Sequence, residues 1–307
     1  MDLRHMRHFV AVAEELHFGK AALRLNIAQP PLSQSIQRLE KDLGVELFDR
    51  SRRSVELTAA GRVFLVEARR TLMHADLARK MAQREAARLP ETRVSFVGPA
   101  LYRVLPELIV RYRAAAPQVA VRLLEASSLE QVAGLLSGDF DVAFIVGGTA
   151  IGNECESMIV ERAALLAAVP ANWKLAARKS ITMADLAEQP YIRPPAKLSP
   201  NPDEMLSMFK RVGVMPEVVQ EAKQTNTTLG LVGAGIGCSL VMATAALAKP
   251  GNIKFLPIED LPSHRPWELL MVWHPELIGR ITADFIAVAR AYVQENWRLL
   301  GLAEDAG

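Results

Sequence analysis

The chain has 307 residues, half of them hydrophobic, which is enough for two or three domains with substantial cores. No run of 18 apolar residues occurs, which argues against a membrane-spanning helix, and the first 15 residues alternate charged and apolar positions, unlike a signal peptide. Residues 1–90 carry 16 Lys and Arg against 11 Asp and Glu, an excess hidden in the overall charge of +2. We therefore expect a cytoplasmic protein whose N-terminal part contacts a polyanion.

The first 43 residues have the spacing of three short amphipathic helices. Apolar residues recur every three or four positions over 3–16, and Gly19 is expected to break this pattern before a second helix at 20–25. A third helix is expected to begin near Pro30 and Pro31, because proline is favoured in a first helical turn. Two such helices joined by a short turn favour a helix-turn-helix.

The third helix has one apolar stripe and one polar face. Amide and hydroxyl side chains suit the edges of bases, whereas arginine suits phosphates or guanine. In a helix-turn-helix, the N-terminal part of this helix enters the major groove of DNA. The residues expected to contact DNA from this helix are Gln29, Pro30, Pro31, Ser33, Gln34, Gln37 and Arg38.

Two short strands are predicted at 45–48 and 54–57, with Arg50, Arg52 and Arg53 between them. This pattern is typical of a wing, and its arginines suit the DNA backbone or a narrow minor groove. A small helical bundle with a solvated polar face is the alternative. The arginine-rich wing favours DNA binding over that bundle.

Residues 58–89 read as one long helix, with Thr58 as its N-cap and Pro90 after its end. A stripe with alternating steps of three and four residues resembles a coiled-coil seam, so we expect this helix to pair with a second copy of the chain. The alternative is that the seam packs on the chain's own C-terminal domain. The stripe consists of Leu65, Ala68, Leu72, Ala75, Arg79, Ala82, Ala86 and Leu89.

From residue 93 onward, strand-like and helical segments alternate, which predicts an α/β domain with a largely parallel sheet. Ligands in such folds lie beyond the carboxyl ends of strands, near helix N-termini that attract anions. Four segments are therefore expected to reach a ligand cleft. They are 98–102, 127–128, 193–202 and 224–228.

Residues 1–65 closely resemble the N-terminal domain of LysR-type transcriptional regulators. The resemblance rests on the order AAxxLxxAQPPLSxxIxxLExxLGxxLFxR followed by LTxAG. It implies a winged helix-turn-helix at 1–57, a dimerisation helix at 58–89 and an effector-binding domain at 90–307, often within a tetramer. That domain would have two lobes, like periplasmic solute-binding proteins, with crossings near Glu161–Arg162 and Arg265–Trp267. Lobe I would comprise 91–161 and 267–301, and lobe II 162–266.

The strings TNTTLGLVGAGIGCSLV and RPPAKLSPNPDEMLSMFKRVG look most like regulators of aromatic-compound catabolism. This likeness implies an anionic small-molecule effector, an aromatic or dicarboxylic acid such as a benzoate or a muconate. The effector contacts expected from the likeness and the cleft segments are Pro99, Ala100, Leu101, Ser128, Arg193, Asn201, Pro202, Thr225, Asn226 and Thr227.

The chain departs from that group at three positions. Pro99 stands where a hydroxyl is common, Pro202 where an aromatic is common, and Val146 where an arginine is often found. Arg193 either replaces the missing cation or forms an ion pair on the lobe surface. These departures leave the identity of the effector open.

Other functions have weaker signals. The glycine-rich GAGIG at 233–237 follows a predicted helix and precedes a predicted strand, whereas a dinucleotide-binding motif needs the strand first. The sequence also lacks the metal-binding motifs HExxH and CxxC and the nucleophile motif GxSxG. We therefore expect neither an enzyme nor a bound metal or cofactor. A redox-sensing regulator would need Cys155 and Cys238 close together. A free solute-binding module would leave the basic N-terminal segment unexplained.

Overall fold

The computed structural model of the protein describes residues 1–49, 55–87, 90–195, 204–261 and 267–302. The chain divides into two compact units, Met1–Ala87 and Arg88–Gly307. No helix within the described ranges is long and apolar enough to cross a membrane. The N-terminal unit consists of α1 (Leu3–Glu15), α2 (Phe18–Arg24), α3 (Gln29–Leu43), β1 (Phe48–Asp49), β2 (Glu56–Leu57) and α4 (Ala59–Ala87).

Local capping sets the helix ends of the N-terminal unit. The Asp2 side chain accepts a hydrogen bond from the His5 N–H at the start of α1, and His17 does the same for Lys20 at the start of α2. Because the His17 ring caps α2, Gly19 lies inside this helix, and the expectation that it breaks the pattern is wrong. At the end of α3, Gly44 adopts a left-handed conformation with φ of 71°, a usual helix stop.

The first turns of α4 belong to the core of the N-terminal unit. Leu65, Ala68 and Leu72 pack against the core formed by α1, α3 and the wing strands, and Ala68 is fully buried. An ideal Cβ at Gly61 would lie 2.1 Å from the carbonyl oxygen of Leu47, so only glycine allows α4 to approach the wing this closely. Ala68 is therefore unavailable to a second copy, whereas Leu65 and Leu72 keep part of their surface, and the pairing seam stays a prediction.

The remainder of the predicted seam is more open. Arg79 is exposed and pairs with Asp76 at 2.7 Å on the same helix, and Ala82 is also exposed. The side chain of Ala86 and all of Leu89 lie outside the described residues. Pairing of α4 with a second copy has exposed apolar surface available at Val63 and Val66, besides the partly buried Leu65 and Leu72.

The C-terminal unit alternates strands and helices as the sequence predicts, with two additional strands at the first crossing. Its strands are β3 (Glu91–Phe96), β4 (Ala120–Glu125), β5 (Val142–Val146), β6 (Glu156–Ala163), β7 (Leu165–Pro170), β8 (Tyr191–Arg193), β9 (Val218–Glu221), β10 (Ser239–Met242), β11 (Ile253–Leu256) and β12 (Trp267–Trp273). Its helices are α5 (Val104–Ala115), α6 (Ser128–Leu136), α7 (Met183–Ala187), α8 (Glu204–Arg211), α9 (Thr225–Gly233) and α10 (Arg280–Asn296).

Lobe I is built on a five-stranded sheet in the order β4-β3-β5-β12-β6, with α5, α6 and α10 packed on it. β4, β3 and β5 are parallel, whereas β12 and β6 run antiparallel to their neighbours. β6 therefore runs in the same direction as β4, β3 and β5, and only β12 runs opposite to them. The expectation of a largely parallel sheet is confirmed for this lobe except at β12, the strand that returns from lobe II.

Lobe II contains an antiparallel sheet in the order β10-β7-β11 and a parallel pair, β8 and β9. The first crossing between the lobes lies where β6 ends at Ala163 and β7 begins at Leu165, slightly beyond the predicted position. Arg265, predicted at the second crossing, lies outside the described residues. The carboxyl ends of β3, β4, β5 and β8 bring the residues discussed below to the boundary of the two lobes.

Candidate DNA interface and effector cavity

The recognition face of α3 is open to solvent. Its opposite stripe is completely buried, since Leu32, Ile36 and Leu39 have no exposed surface. Gln29 is the first residue of the helix rather than the residue before it. The face comprises the exposed residues Gln29, Pro30, Pro31, Gln34, Gln37 and Arg38, together with the half-buried Ser33.

Glu40 connects α3 to the wing. Its Oε1 accepts hydrogen bonds from the backbone N–H groups of Leu47 at 2.9 Å and Phe48 at 3.2 Å. Phe48 begins β1, which pairs with β2 through Phe48 opposite Leu57. The wing is thus held at a fixed angle to the recognition face. Its predicted DNA contacts Arg50, Arg52 and Arg53 lie outside the described residues.

A cavity of about 160 Å³ lies between the two lobes of the C-terminal unit. Most of its wall is apolar, including Val97, Pro99 and Val146 from lobe I and Met205 and Leu240 from lobe II. A small organic molecule fits this space. Apolar walls with a few polar groups are typical of small-molecule sites.

Arg193 supplies positive charge from the lobe II wall. Its Nη2 pairs with Glu221 at 2.7 Å, and its side chain is 23% exposed. Its Nε is buried and has no hydrogen-bond partner among the described residues. The guanidinium therefore forms an ion pair, and because the unpartnered Nε is shielded from the cavity, a contact between Arg193 and an effector stays a prediction.

The polar groups of lobe I are largely satisfied within the lobe. The Ser128 hydroxyl accepts a hydrogen bond from the Val146 N–H at 3.1 Å, and Ser127 and Glu130 form a reciprocal capping box at the start of α6. The two Ser127 bonds, with a smaller effect from Lys223, lower the pKa of Glu130 to about 2. Glu130 is therefore ionised at neutral pH.

Two polar contacts join the lobes at the rim of the cavity. The Tyr102 hydroxyl donates to Asn226 Oδ1 at 2.7 Å, and Lys223 Nζ donates to Glu130 at 2.9 Å. Burial, with a smaller effect from Glu125, raises the pKa of Tyr102 to about 12, so the phenol remains a donor. These contacts stabilise a closed arrangement of the lobes.

The predicted effector residues divide into three groups. Pro99, Ser128, Arg193 and Thr225 line the cavity. Asn201 and Pro202 lie outside the described residues. The four others do not line it: Ala100, Leu101, Asn226 and Thr227.

Backbone geometry explains why these four predicted residues do not line the cavity. A 3₁₀ turn after β3 directs Ala100 into the core of lobe I, and Leu101 packs against the same core. On α9, residues three apart share a face, so Thr228 joins Thr225 in the wall while Asn226 and Thr227 point away. Helical spacing along TNTT could have selected Thr228 instead of Thr227.

Other wall residues had weaker sequence signals. Glu125 lines the cavity and is the last residue of β4. Because ligands in α/β folds lie beyond the carboxyl ends of strands, the end of this strand could have been predicted to reach the cavity. Met205 and Trp267 have apolar side chains that are indistinguishable in sequence from core residues. Their place in the wall follows only from the folded chain.

The two cysteines lie in separate cores. Cys155 packs in lobe I and Cys238 in lobe II, and neither forms a disulfide bond. Burial raises the pKa of Cys238 to about 12 and also raises that of Cys155, so both thiols are poor sources of the reactive thiolate. This arrangement disfavours the redox-sensing alternative.

A winged helix-turn-helix and a two-lobed α/β domain with a cavity between its lobes together define a DNA-binding regulator with an effector domain. Residues 3–62 match the family model "Bacterial regulatory helix-turn-helix protein, lysR family", and residues 88–294 match "LysR substrate binding domain". The chain belongs to the LysR family of transcriptional regulators, which confirms the resemblance and the fold class predicted from the sequence.

Relatives and solved structures span nearly the whole chain. The regulator AlsR of Bacillus subtilis is 37% identical over 272 residues, covering 87% of this chain and 89% of AlsR. The regulator BenM of Acinetobacter baylyi is 35% identical over 264 residues, covering 85% and 86%. A crystal structure of full-length CbnR with its target DNA is 31% identical, with a TM-score of 0.55, and covers 95% of this chain and 99% of CbnR.

Proposed function

We propose that this regulator reads a specific DNA sequence with the recognition face of α3 and responds to a small organic acid in the cavity between its lobes. The proposal that α3 reads DNA rests on its exposed polar face, which lies opposite a fully buried apolar stripe. Gln34 and Ser33 contact base edges, and Arg38 and the wing arginines contact phosphates or the minor groove. The structure of CbnR with its target DNA supports this use of the fold.

The cavity supports the effector half of the proposal. It combines apolar walls, the side chain of Arg193 and two contacts that join the lobes at its rim. A ligand that binds one lobe arrangement more tightly than another shifts the population of arrangements and so the placement of the DNA-binding units. Likeness to regulators of aromatic catabolism favours an aromatic acid.

We further propose that the protein acts in the cytoplasm as a homo-oligomer and catalyses no reaction. Dimers form through α4, and tetramers form from pairs of dimers. Two DNA-binding units then address two half-sites, as symmetric operators require. Exposed apolar side chains on α4, among them Val63 and Val66, offer a pairing face that the unit's own core does not use.

Substitution of Gln34 tests base readout. Gln34→Ala removes an exposed amide without disturbing the core, so it should weaken binding to the promoter site by about 1–3 kcal/mol and leave binding to unrelated DNA nearly unchanged. Fluorescence anisotropy with both DNAs at one salt concentration measures this difference.

Gln118→Ala, an equally exposed amide in the C-terminal unit, is the matched control and should change neither affinity. An equal loss on promoter and unrelated DNA would contradict the base-reading role of Gln34. It would assign this residue to the DNA backbone instead.

A further inference from the structure

We propose that Glu161 makes the first crossing between the lobes sensitive to pH. Its carboxyl group keeps a proton while the C-terminal turn, residues 297–301, lies on strand β6, and releases that proton to water when the turn moves away. The crossing then loosens as the pH rises. This inference goes beyond the proposed function, because it requires neither an effector nor DNA. The burial, the charges and the position of Glu161 carry it.

Glu161 is a completely buried acidic residue. Its side chain has no exposed surface, and neither oxygen of its carboxyl group has a hydrogen-bond partner among the described residues. A carboxylate without such partners is unfavourable in a protein interior, so this environment favours the neutral, protonated form. Burial raises the pKa of Glu161 to about 7, and Arg103 has a smaller, opposite effect.

Arg103 is the charged group that acts on Glu161. It precedes α5, and its Nη1 lies 3.2 Å from Oε1 of the carboxyl group. The same Nη1 donates a hydrogen bond to the carbonyl oxygen of Leu299 in the C-terminal turn at 2.7 Å. One guanidinium therefore contacts both the acidic group and the turn.

The other ionisable groups around this site are neutral or already paired. On α5, Arg111 pairs with Glu107 and with Glu295 of α10. Burial, followed by Glu107 and Glu161, raises the pKa of Tyr292 on α10, so its phenol is neutral near pH 7. Arg162 pairs with Glu268 of β12, and its side chain points to the opposite face of β6 because neighbouring strand residues alternate.

The C-terminal turn is attached to β6 directly beside Glu161. The Arg162 N–H donates to the carbonyl oxygen of Leu300 at 2.7 Å, and Leu300 is completely buried. An ideal Cβ at Gly301 would lie 2.5 Å from the carbonyl oxygen of Arg162, so only glycine allows this close approach. Movement of the turn would therefore uncover the part of β6 that contains Glu161.

Strand β6 is irregular at the same place. Its pairing with β12 shifts register between Ile159 and Glu161, so Val160 has no partner across the strands. Such bulges bend a strand locally. β6 ends at Ala163, and β7 begins at Leu165 in lobe II. A change at Glu161 therefore acts on the segment that joins the lobes.

The direction of the pH effect follows from the two states of the turn. While the turn is bound, the pKa of Glu161 is about 7, and when water reaches the carboxyl group, the pKa returns to its ordinary value of 4.5. The bound state is therefore favoured by the proton at low pH, and it loses this advantage as the pH rises from 4.5 to about 7. Because each pKa unit is a factor of ten, opening should increase about tenfold or more between pH 5 and 8.

Hydrogen exchange at the Arg162 amide of the full-length protein tests this proposal, because its bond to Leu300 breaks when the turn moves away. After correction for the intrinsic exchange rate at each pH, wild-type protection should fall about tenfold or more between pH 5 and 8 and level off above about 7. In Glu161→Gln, a neutral side chain of the same shape, it should change less than about twofold. Equal pH dependence in the two proteins would overturn the proposal.

Three further variants assign the effect. Glu156→Gln removes an exposed carboxylate from the same strand and should keep the wild-type profile. Arg103→Gln removes the cation and raises the pKa of Glu161 further, so the fall in protection should continue to a pH about one unit higher. Arg103→Lys should shift that limit back towards the wild-type value.

The Arg103 variants keep the proposal testable even if Glu161→Gln does not fold, because both retain the acidic group. A profile of Arg103→Gln that levels off at the same pH as the wild type would show that the titrating group is not the one beside Arg103. That result would overturn the proposal.

Discussion

Glu40 provides a direct test of how the recognition face is held relative to the wing. Its Oε1 is the shared acceptor for the N–H groups of Leu47 and Phe48, at 2.9 and 3.2 Å. Both residues are only 1% exposed. Glu40→Ala therefore leaves two buried N–H groups without their carboxylate acceptor.

The size of the effect follows from those two bonds. A hydrogen bond to a charged group contributes about 1.5–3 kcal/mol, and two bonds that share one oxygen contribute less than twice that amount. We expect Glu40→Ala to lower the stability of the N-terminal unit by about 3–4 kcal/mol. Glu40→Gln keeps a neutral carbonyl oxygen as acceptor and should lower it by only about 1–2 kcal/mol.

Hydrogen exchange on the full-length protein is the assay. The Leu47 and Phe48 amides should lose protection in Glu40→Ala, retain most of it in Glu40→Gln, and remain as in the wild type in Lys41→Ala, an exposed neighbour. Affinity for promoter DNA should fall in the same order, since the wing loses its fixed position. Wild-type protection of both amides in Glu40→Ala would refute the reasoning.

Two further predictions concern charge. Replacing Arg52 and Arg53 with Ala should weaken binding to every DNA sequence and flatten its salt dependence, and an unchanged salt slope would remove both from the phosphate contacts. His8 is buried beside Ser35 of α3, with 2.7 Å between Nδ1 and Oγ. Burial, and then Arg4 and His5, lower its pKa, so the folded form resists the proton that the unfolded chain accepts. The N-terminal unit should lose stability as the pH falls below about 6.5, the ordinary histidine pKa. Denaturant midpoints at pH 7.5 and 5.5 should differ more for the wild type than for His8→Gln, and equal shifts would exclude His8 as the cause.

The helices of the N-terminal unit were predictable because local chemistry determines them. Pro30 and Pro31 lie in the first turn of α3, as their position in the sequence predicts. The seam of α4 was not predictable in the same way. A stripe such as Leu65, Ala68 and Leu72 has the same period whether it faces a second chain or α1, and only tertiary packing distinguishes the two.

In the C-terminal unit, strand-helix alternation predicted most elements but not the wall of the cavity. β6 and β7 lack a helix between them, so the alternation gave no sign of them. The wall combines residues distant in sequence, such as Glu125 and Arg193, and their positions depend on how the lobes meet. The positions of strand ends and helix starts correctly indicated which segments reach the cavity. The prediction failed in choosing which residues of those segments face it, as with Thr227 instead of Thr228 on α9.

The paired prolines at the start of α3 have a consequence for the energetics of binding. Pro30 and Pro31 have fixed φ angles and no N–H, so the first turn of the helix gives up little conformational entropy when DNA immobilises it. Such preorganisation reduces the ordering cost that association otherwise incurs. The leading edge of the recognition face is therefore a rigid template, and recognition there depends more on matching its shape than on adapting to it.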